Sequence, residues 1–294
     1  MNSRTLMSKS FNLKVSNTRT FSTIYSSPHS GSNYSEEFLA QSNLNLKELR
    51  SSEDAFIGEL FKIATNYDSA FIEATFPRCF IDLNRSHFEL DPKLFQGDFK
   101  YESTPRNLAG FGVIPRLSGK GNSIYKRFLS LHEAQKRLKN YYYPYHYNLR
   151  DLIHKAQLRS GFAIIFDCHS MPSSFPFFEV TNNRGHTSDI VLGDLNGASC
   201  DPRLTQRVKA TFESQGFSVS VNKPFAGGFI TKNYGNPKKS IHAIQIEINR
   251  GLYMDEDKIK PNSNFKAFRR TLADIILKLS SIGKCKDLFE VAAE

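Results

Sequence analysis

Runs of β-type, largely apolar residues alternate along this chain with helical stretches, and that alternation constrains the fold more than any other feature. Residues 130–141 and 145–160 read as helices and are followed at once by the apolar run 163–167, Ala-Ile-Ile-Phe-Asp. Residues 217–221 and 243–248 are two further strand-like runs. Before them lies a helix opening at Asp201-Pro202, where a capping residue precedes a proline at the first helical position. The last amphipathic helix spans 264–281. Nearer the start, residues 21–26 read as a short strand and 79–83 as the clearest strand in a stretch broken by Pro77. A helix is expected over 53–64, because Ser51 and Ser52 precede two acids and then the spaced apolar residues Phe56, Leu60, Phe61 and Ala64. Strands interleaved with helices predict an α/β fold whose sheet has a large parallel component.

No internal repeat, low-complexity segment or second-domain boundary interrupts this pattern. Residues 21–294 therefore read as one domain behind a flexible tail of residues 1–20. Residues 91–124, rich in Pro, Gly and Asn, form a long loop, of the kind that often supplies a binding rim.

The net charge of +10 is spread through the chain without a long basic block, and no nucleic-acid-binding motif accompanies it. A solvated basic surface is the simpler reading. A basic, Phe- and Tyr-rich nucleic-acid-binding module is the rival from another class, and it leaves the polar strand ends described below unexplained. No stretch approaches the ~18 consecutive apolar residues of a membrane helix, so a soluble protein is expected. Cys79, Cys168, Cys200 and Cys285 are far apart and form no CxxC pair. A reducing, cytoplasmic setting follows as the expectation. The acid-free N-terminus leaves organelle targeting as the alternative to a simple tail.

Three apolar runs end on polar groups. In Ile164-Ile165-Phe166-Asp167-Cys168-His169, strand alternation puts Asp167 and His169 on one side and Cys168 on the other. A histidine with a carboxylate on its own side suits a metal ligand oriented from behind, although a histidine satisfied by local backbone is the plainer possibility. In Ile244-Gln245-Ile246-Glu247-Ile248-Asn249-Arg250 the isoleucines share one face, and Gln245, Glu247 and Asn249 share the other. A carboxylate among apolar neighbours suits a general base, but a strand with one wet face has the same pattern. Asp82-Leu83-Asn84-Arg85 closes the third run, and an Asn-Arg pair can hold a carboxylate or merely make a turn. A second histidine, His29, lies in the loop Pro28-His29-Ser30-Gly31 after the first strand. Two such histidines with carboxylates nearby are similar to the three-protein-ligand zinc sites of hydrolases.

An ordered set of segments gives these features a common source. SPHSG at 27–31, PRCFIDLNR at 77–85, GFGVIPR at 110–116 and YYYPYH at 141–146 are followed by DCHSMPS at 167–173. VLGD at 191–194, NKPFAGGFIT at 222–231 and QIEINRGLYM at 245–254 complete the set. Over about residues 21–256 the chain resembles the N-formylglutamate amidohydrolase family, itself similar in fold to zinc carboxypeptidases and aspartoacylase. The resemblance implies a phosphorylase/hydrolase-like mixed central sheet flanked by helices. It implies cleavage of N-formyl-L-glutamate to formate and L-glutamate, the last step of one histidine-degradation route. A zinc-dependent deacylase of another N-acyl amino acid is the nearer alternative.

By the same resemblance, His29 and His169 would ligate Zn2+ or another divalent metal, Glu247 would be the catalytic base, and Asp167 would orient His169. Asn84 and Arg85 would hold one carboxylate of a small acidic substrate. One of Arg78, Arg116 and Arg250 would hold the other, and Gly227 and Gly228 would let the backbone approach it. The wider superfamily has an acidic ligand three residues after the first histidine, where this chain has Ser32. Asp54 is the expected third ligand instead, with Glu53 and Glu36 as alternatives. A helix-start carboxylate is the simpler role for Asp54.

Overall fold

The computed structural model describes residues 4–7, 10–16, 21–174 and 188–283. Its centre is an eight-stranded sheet of β1 (Arg4–Met7), β2 (Phe11–Val15), β3 (Thr23–Ser27), β4 (Ala70–Ala74), β5 (Ala163–Met171), β6 (Ile190–Gly193), β7 (Val219–Val221) and β8 (Ile241–Asn249). The strand order is β1-β2-β4-β3-β5-β8-β6-β7. Strands β4, β3, β5 and β8 run parallel, β6 returns antiparallel beside β8, and β7 pairs parallel with β6. The sheet is thus mixed, with a parallel centre.

Alternation along the central strands divides the core into two layers. Ile24, Ile165 and Ala243 face one cluster, packed with Tyr145, Leu149, Leu152 and Ala156 of the helix Tyr143–Ser160. Tyr25, Ile164, Phe166, Ile244 and Ile246 face the other, packed against the helices Pro202–Glu213 and Phe265–Ile282. In the last helix Phe265, Phe268, Leu272, Ile275, Ile276 and Leu279 recur at three- and four-residue spacing on the buried face. Each such side chain contributes about 1.5–3 kcal/mol when fully buried. No helix among the described residues is long and apolar enough to cross a membrane.

Four local expectations are corrected. The tail expected over residues 1–20 contains two strands: β1 pairs with β2, and β2 lies antiparallel to β4. Phe11 and Leu13 alternate with Asn12 and Lys14, and both are buried at that edge. The Ser/Thr-rich composition around this short run hid its period-two pattern. Ser51 and Ser52 start no helix. Ser51 closes the helix Leu46–Arg50, its Oγ donating to the Glu48 carbonyl, and the following helix is only Ile57–Phe61. Residues 79–83 are not a sheet strand. Cys79, Ile81 and Leu83 are buried at alternate positions, but the Asp82 amide bonds to the Val113 carbonyl of the long loop instead of a strand. Finally, β5 runs four residues beyond Asp167, so Asp167 and His169 lie within a strand that is buried throughout. Cys285 lies outside the described residues.

Candidate active site

Parallel pairing carries three strands out at one edge of the sheet. His29 follows β3 by two residues, and on the neighbouring β5 and β8 His169 is directly paired with Glu247. Ligands in open α/β sheets bind beyond such carboxyl ends. On this face Ile165 and Ala243 give way to Asp167, His169, Gln245 and Glu247, all buried. The sheet face changes from apolar core to polar site within one residue pair.

The third acid arrives from sequence between β3 and β4. The Asp54 amide donates to the His29 carbonyl at 3.1 Å, which fixes the chain just after the turn that ends helix Leu46–Arg50. Asp54 Oδ2 then lies 3.0 Å from His169 Nδ1 and 3.4 Å from His29 Nδ1. Its other oxygen accepts from Arg250 Nη2 at 3.1 Å and Ser170 Oγ at 3.3 Å. The ligand atoms of His29, Asp54 and His169 all lie within 4.8 Å of one another. The alternatives are elsewhere. Glu53 is held by Arg50 and the Tyr34 hydroxyl, and Glu36 is exposed in the first turn of a short helix.

Each imidazole is backed by a carboxylate on its far nitrogen. His29 Nε2 is 2.7 Å from Asp82 Oδ1, and His169 Nε2 is 2.9 Å from Asp167 Oδ2. Were Nε2–H donated outward and both rings neutral, each would turn its Nδ1 lone pair toward the same Asp54 oxygen. Two lone pairs and a carboxylate converging in a buried space repel unless a proton or a cation lies between them. His29 Nδ1 is buried with no hydrogen-bond partner, as that arrangement requires. Two histidines and one carboxylate, each ring held from behind, match the three-ligand donor set of catalytic zinc sites. The residues present therefore fit a divalent metal.

The electrostatics agree. Burial alone opposes a charged His169, yet Asp167, Asp54 and Glu247 hold its pKa well above the usual imidazole range. Burial opposes ionisation of Asp54 and Asp82 too. Asp54 is nevertheless held low by the two histidines, and Asp82 by His29, Arg78 and Arg85. Glu247 behaves differently. Burial, with the Asp54 charge adding to it, pushes its carboxyl up to about 7 against the pull of His169, Arg78 and Arg250. Its Oε1 accepts from Gln245 Nε2 at 2.7 Å. A carboxyl tuned to neutrality beside a metal-type cluster is suited to accept and return a proton.

A cavity of about 230 Å³ opens on this group, bordered by His29, Asp54, His169 and Glu247 and by Arg106, Phe111 and Leu117 of the long loop. The loop does supply a rim.

The chain belongs to the N-formylglutamate amidohydrolase family. A sequence model of that family matches residues 21–254. An N-formylglutamate deformylase from Pseudomonas putida is 33% identical over 239 residues, covering 79% of this chain and 82% of the relative. One from Pseudomonas aeruginosa is 31% identical over 207 residues, covering 69% and 71%. The crystal structure of N-formylglutamate amidohydrolase from Ralstonia eutropha JMP134 superposes with a TM-score of 0.86 at 28% identity, covering 94% of this chain and 99% of that one.

Within this family member the remaining expected residues separate into those brought to the cavity and one that is not. Arg78, Arg85, Arg250, Gly227 and Gly228 all border it. Arg116 does not: its Nε is bound to Asp91 Oδ2 at 2.7 Å, a pair that braces the long loop. Asn84 borders the cavity, but its amide is already engaged. Oδ1 accepts from the Ile230 amide at 2.8 Å, while Nδ2 sits 3.4 Å from Asp167 Oδ2 and 3.2 Å from His169 Nε2. Asn84 positions the metal-type cluster as much as it faces a ligand. Gly228 is needed for that: a Cβ there would fall 2.3–2.6 Å from the Asn84 side-chain amide.

Two contributors were not singled out from the sequence. Asp82 accepts from His29 Nε2, the Asn84 amide, and Arg78 Nε and Nη2, so it orients the His29 ring and neutralises one arginine. Its signal was its place two residues before Asn84 within the Asp-Leu-Asn-Arg segment. Arg106 is one of 39 basic residues and carries no local mark of a site.

Proposed function

We propose that the protein hydrolyses the formyl amide of N-formyl-L-glutamate, with His29, Asp54 and His169 holding a zinc ion, Glu247 acting as general base, and Arg85 binding a substrate carboxylate. The observation that carries the reading is the convergence of both Nδ1 atoms on one Asp54 oxygen, with Glu247 paired to His169 across the strands. When bound, the metal supplies Lewis-acid polarisation of the formyl carbonyl and lowers the pKa of a coordinated water from 15.7 to about 7.

The chain's own residues do the rest. Glu247 Oε2 takes a proton from the attacking water and later delivers it to the glutamate nitrogen as the C–N bond breaks, giving formate and a free amine. Gln245 holds Glu247 through Oε1, so the carboxyl does not turn away from the cavity. Asp82 and Asp167 keep both rings in the tautomer that turns Nδ1 inward. Arg85 is buried, and among the described residues no carboxylate is bonded to it; an acidic substrate supplies one.

Formate release from N-formyl-L-glutamate, measured before and after chelation and after zinc is restored, tests the reading. Chelator-sensitive, zinc-restored release is the expected result. No release from folded, metal-loaded protein rejects this substrate, and a panel of other N-acyl amino acids then identifies the acyl group accepted. Release unaffected by complete metal removal rejects the metal role.

A further inference from the structure

Four guanidinium groups border the cavity, and they differ in how their charge is already met. Arg78 gives Nε and Nη2 to Asp82, and Arg250 gives Nη2 to Asp54 and Nε to Ser170. Arg85, only 6% exposed, gives Nε and Nη1 to the carbonyls of Phe111 and Asn84, which bring no countercharge. Arg106 makes no ion pair and no side-chain hydrogen bond among the described residues. Arg85 and Arg106 therefore face the cavity with charge to spare, and both also border a neighbouring cavity of about 540 Å³. They stand where the two spaces meet.

Arg106 is presented by a rigid element. Thr104 caps the short helix Pro105–Leu108 through a reciprocal pair of bonds with Asn107. Asn107 is fully buried and donates to the Leu90 and Glu102 carbonyls, and the Arg106 carbonyl accepts from the Phe111 amide. The backbone on both sides of Arg106 is anchored while its side chain is left exposed. Burial makes the Arg85 charge costly, and the charges of Arg78 and Arg106 add to that cost against the pull of Asp82 and Glu89. Two like charges close enough to feel one another, with no bridging carboxylate, are the arrangement a dianion relieves.

We propose that Arg106 is the specificity-determining residue of the reaction: it binds the second carboxylate of the substrate while Arg85 binds the first, and so selects dicarboxylic over monocarboxylic N-formyl amino acids. The assignment rests on the hydrolase reading above. It excludes Arg116, which Asp91 occupies, and Lys232, which borders only the outer cavity.

The test compares N-formyl-L-glutamate with N-formyl-L-glutamine, its isostere with an uncharged side chain and a single carboxylate, in the zinc-loaded wild type and in Arg106→Met and Arg106→Lys. A charge-assisted contact at an exposed arginine sets the expected scale at about ten-fold. Arg106→Met raises KM for the glutamate compound by that factor with little change in kcat, and narrows the Glu/Gln ratio of kcat/KM about ten-fold. Arg106→Lys recovers part of the ratio. Equal losses on both compounds, or an unchanged ratio, overturn the assignment. Calorimetric binding of glutarate against butyrate reads the same discrimination without turnover. A wild type that releases no formate rejects N-formyl-L-glutamate as the substrate, and the glutarate/butyrate preference and its loss in Arg106→Met still decide the role of Arg106. Unaltered thermal unfolding of the variants separates these outcomes from misfolding.

Discussion

Replacing Asp82 by Asn probes the metal-centre reading at a residue outside the proposed ligand set. The carboxylate accepts four hydrogen bonds, from His29 Nε2 at 2.7 Å, the Asn84 amide at 2.8 Å, and Arg78 Nε and Nη2 at 3.2 and 3.0 Å. Asparagine keeps the volume and one acceptor oxygen but removes the charge that fixes the His29 tautomer and raises its basicity. Loss of a carboxylate behind a ligating histidine costs about 10–100-fold in metal affinity, or about 1.4–2.7 kcal/mol. The global cost is kept below the roughly 3–5 kcal/mol of a broken, fully buried ion pair, because water reaches Arg78 and can solvate its freed charge. Arg78 is 29% exposed. Competition with a chromophoric chelator measures zinc affinity in the wild type and the variant, and formate release is followed at limiting and saturating zinc. The expected variant binds zinc about 10–100-fold more weakly, with much of its activity restored at saturation. A variant whose zinc affinity matches the wild type, with Asp82→Asn shown to be folded, refutes the claim that Asp82 orients a metal ligand.

Other expectations follow from the same geometry. Glu247→Gln lowers kcat by about 10²–10⁴-fold while zinc stoichiometry stays at the wild-type level; metal analysis showing loss of zinc would make Glu247 a ligand instead. Gly228→Ala drives a methyl group into Asn84 and costs about 1–3 kcal/mol in urea unfolding together with a fall in kcat, whereas unchanged stability and activity would mean the loop moves freely away. His146 is buried between the Tyr234 hydroxyl and the Leu83 carbonyl, and burial pushes its pKa down to about 3. Its folded pKa lies below the unfolded value near 6.5, so the unfolded state binds more protons. The contribution is fully present above about pH 6.5 and is lost as pH falls toward 3, at up to about 1.4 kcal/mol per pH unit. Urea unfolding from pH 7 to 4 should therefore show a steeper acid loss in the wild type than in His146→Gln; parallel curves would contradict a neutral buried His146.

The α/β class, the central strands and the long helices were legible because each depends on local periodicity, while the mixed character of the sheet was implied only by the family resemblance. The isoleucines at 244, 246 and 248 must share a face wherever the strand goes, and the Asp201-Pro202 cap needs no partner elsewhere. His29, His169 and Glu247 could be singled out for the same reason: polar groups at the ends of apolar runs stand out against their neighbours. The resemblance to a family supplied their suggested roles. Short elements were harder. The pattern at Phe11 and Leu13 was present but too brief to outweigh its surroundings, and the alternation at Cys79, Ile81 and Leu83 is real burial without a strand partner.

What only the tertiary structure decided is pairing across long separations. Asp54 and Glu53 are adjacent in the chain, yet one faces two histidines and the other faces Arg50. Nothing in either residue's neighbourhood distinguishes them, because the choice depends on where the turn after Arg50 sets the chain against His29. The arginines make the same point. Arg116, Arg78 and Arg106 are chemically identical, and what separates them is whether folding brings a carboxylate within reach. Local sequence determines which residues lie on a common face of a strand or helix, since backbone geometry imposes that period directly. Which charges remain unpaired is a sum over the whole fold, and it is that sum which distinguishes Arg85 and Arg106 from the other arginines at the site.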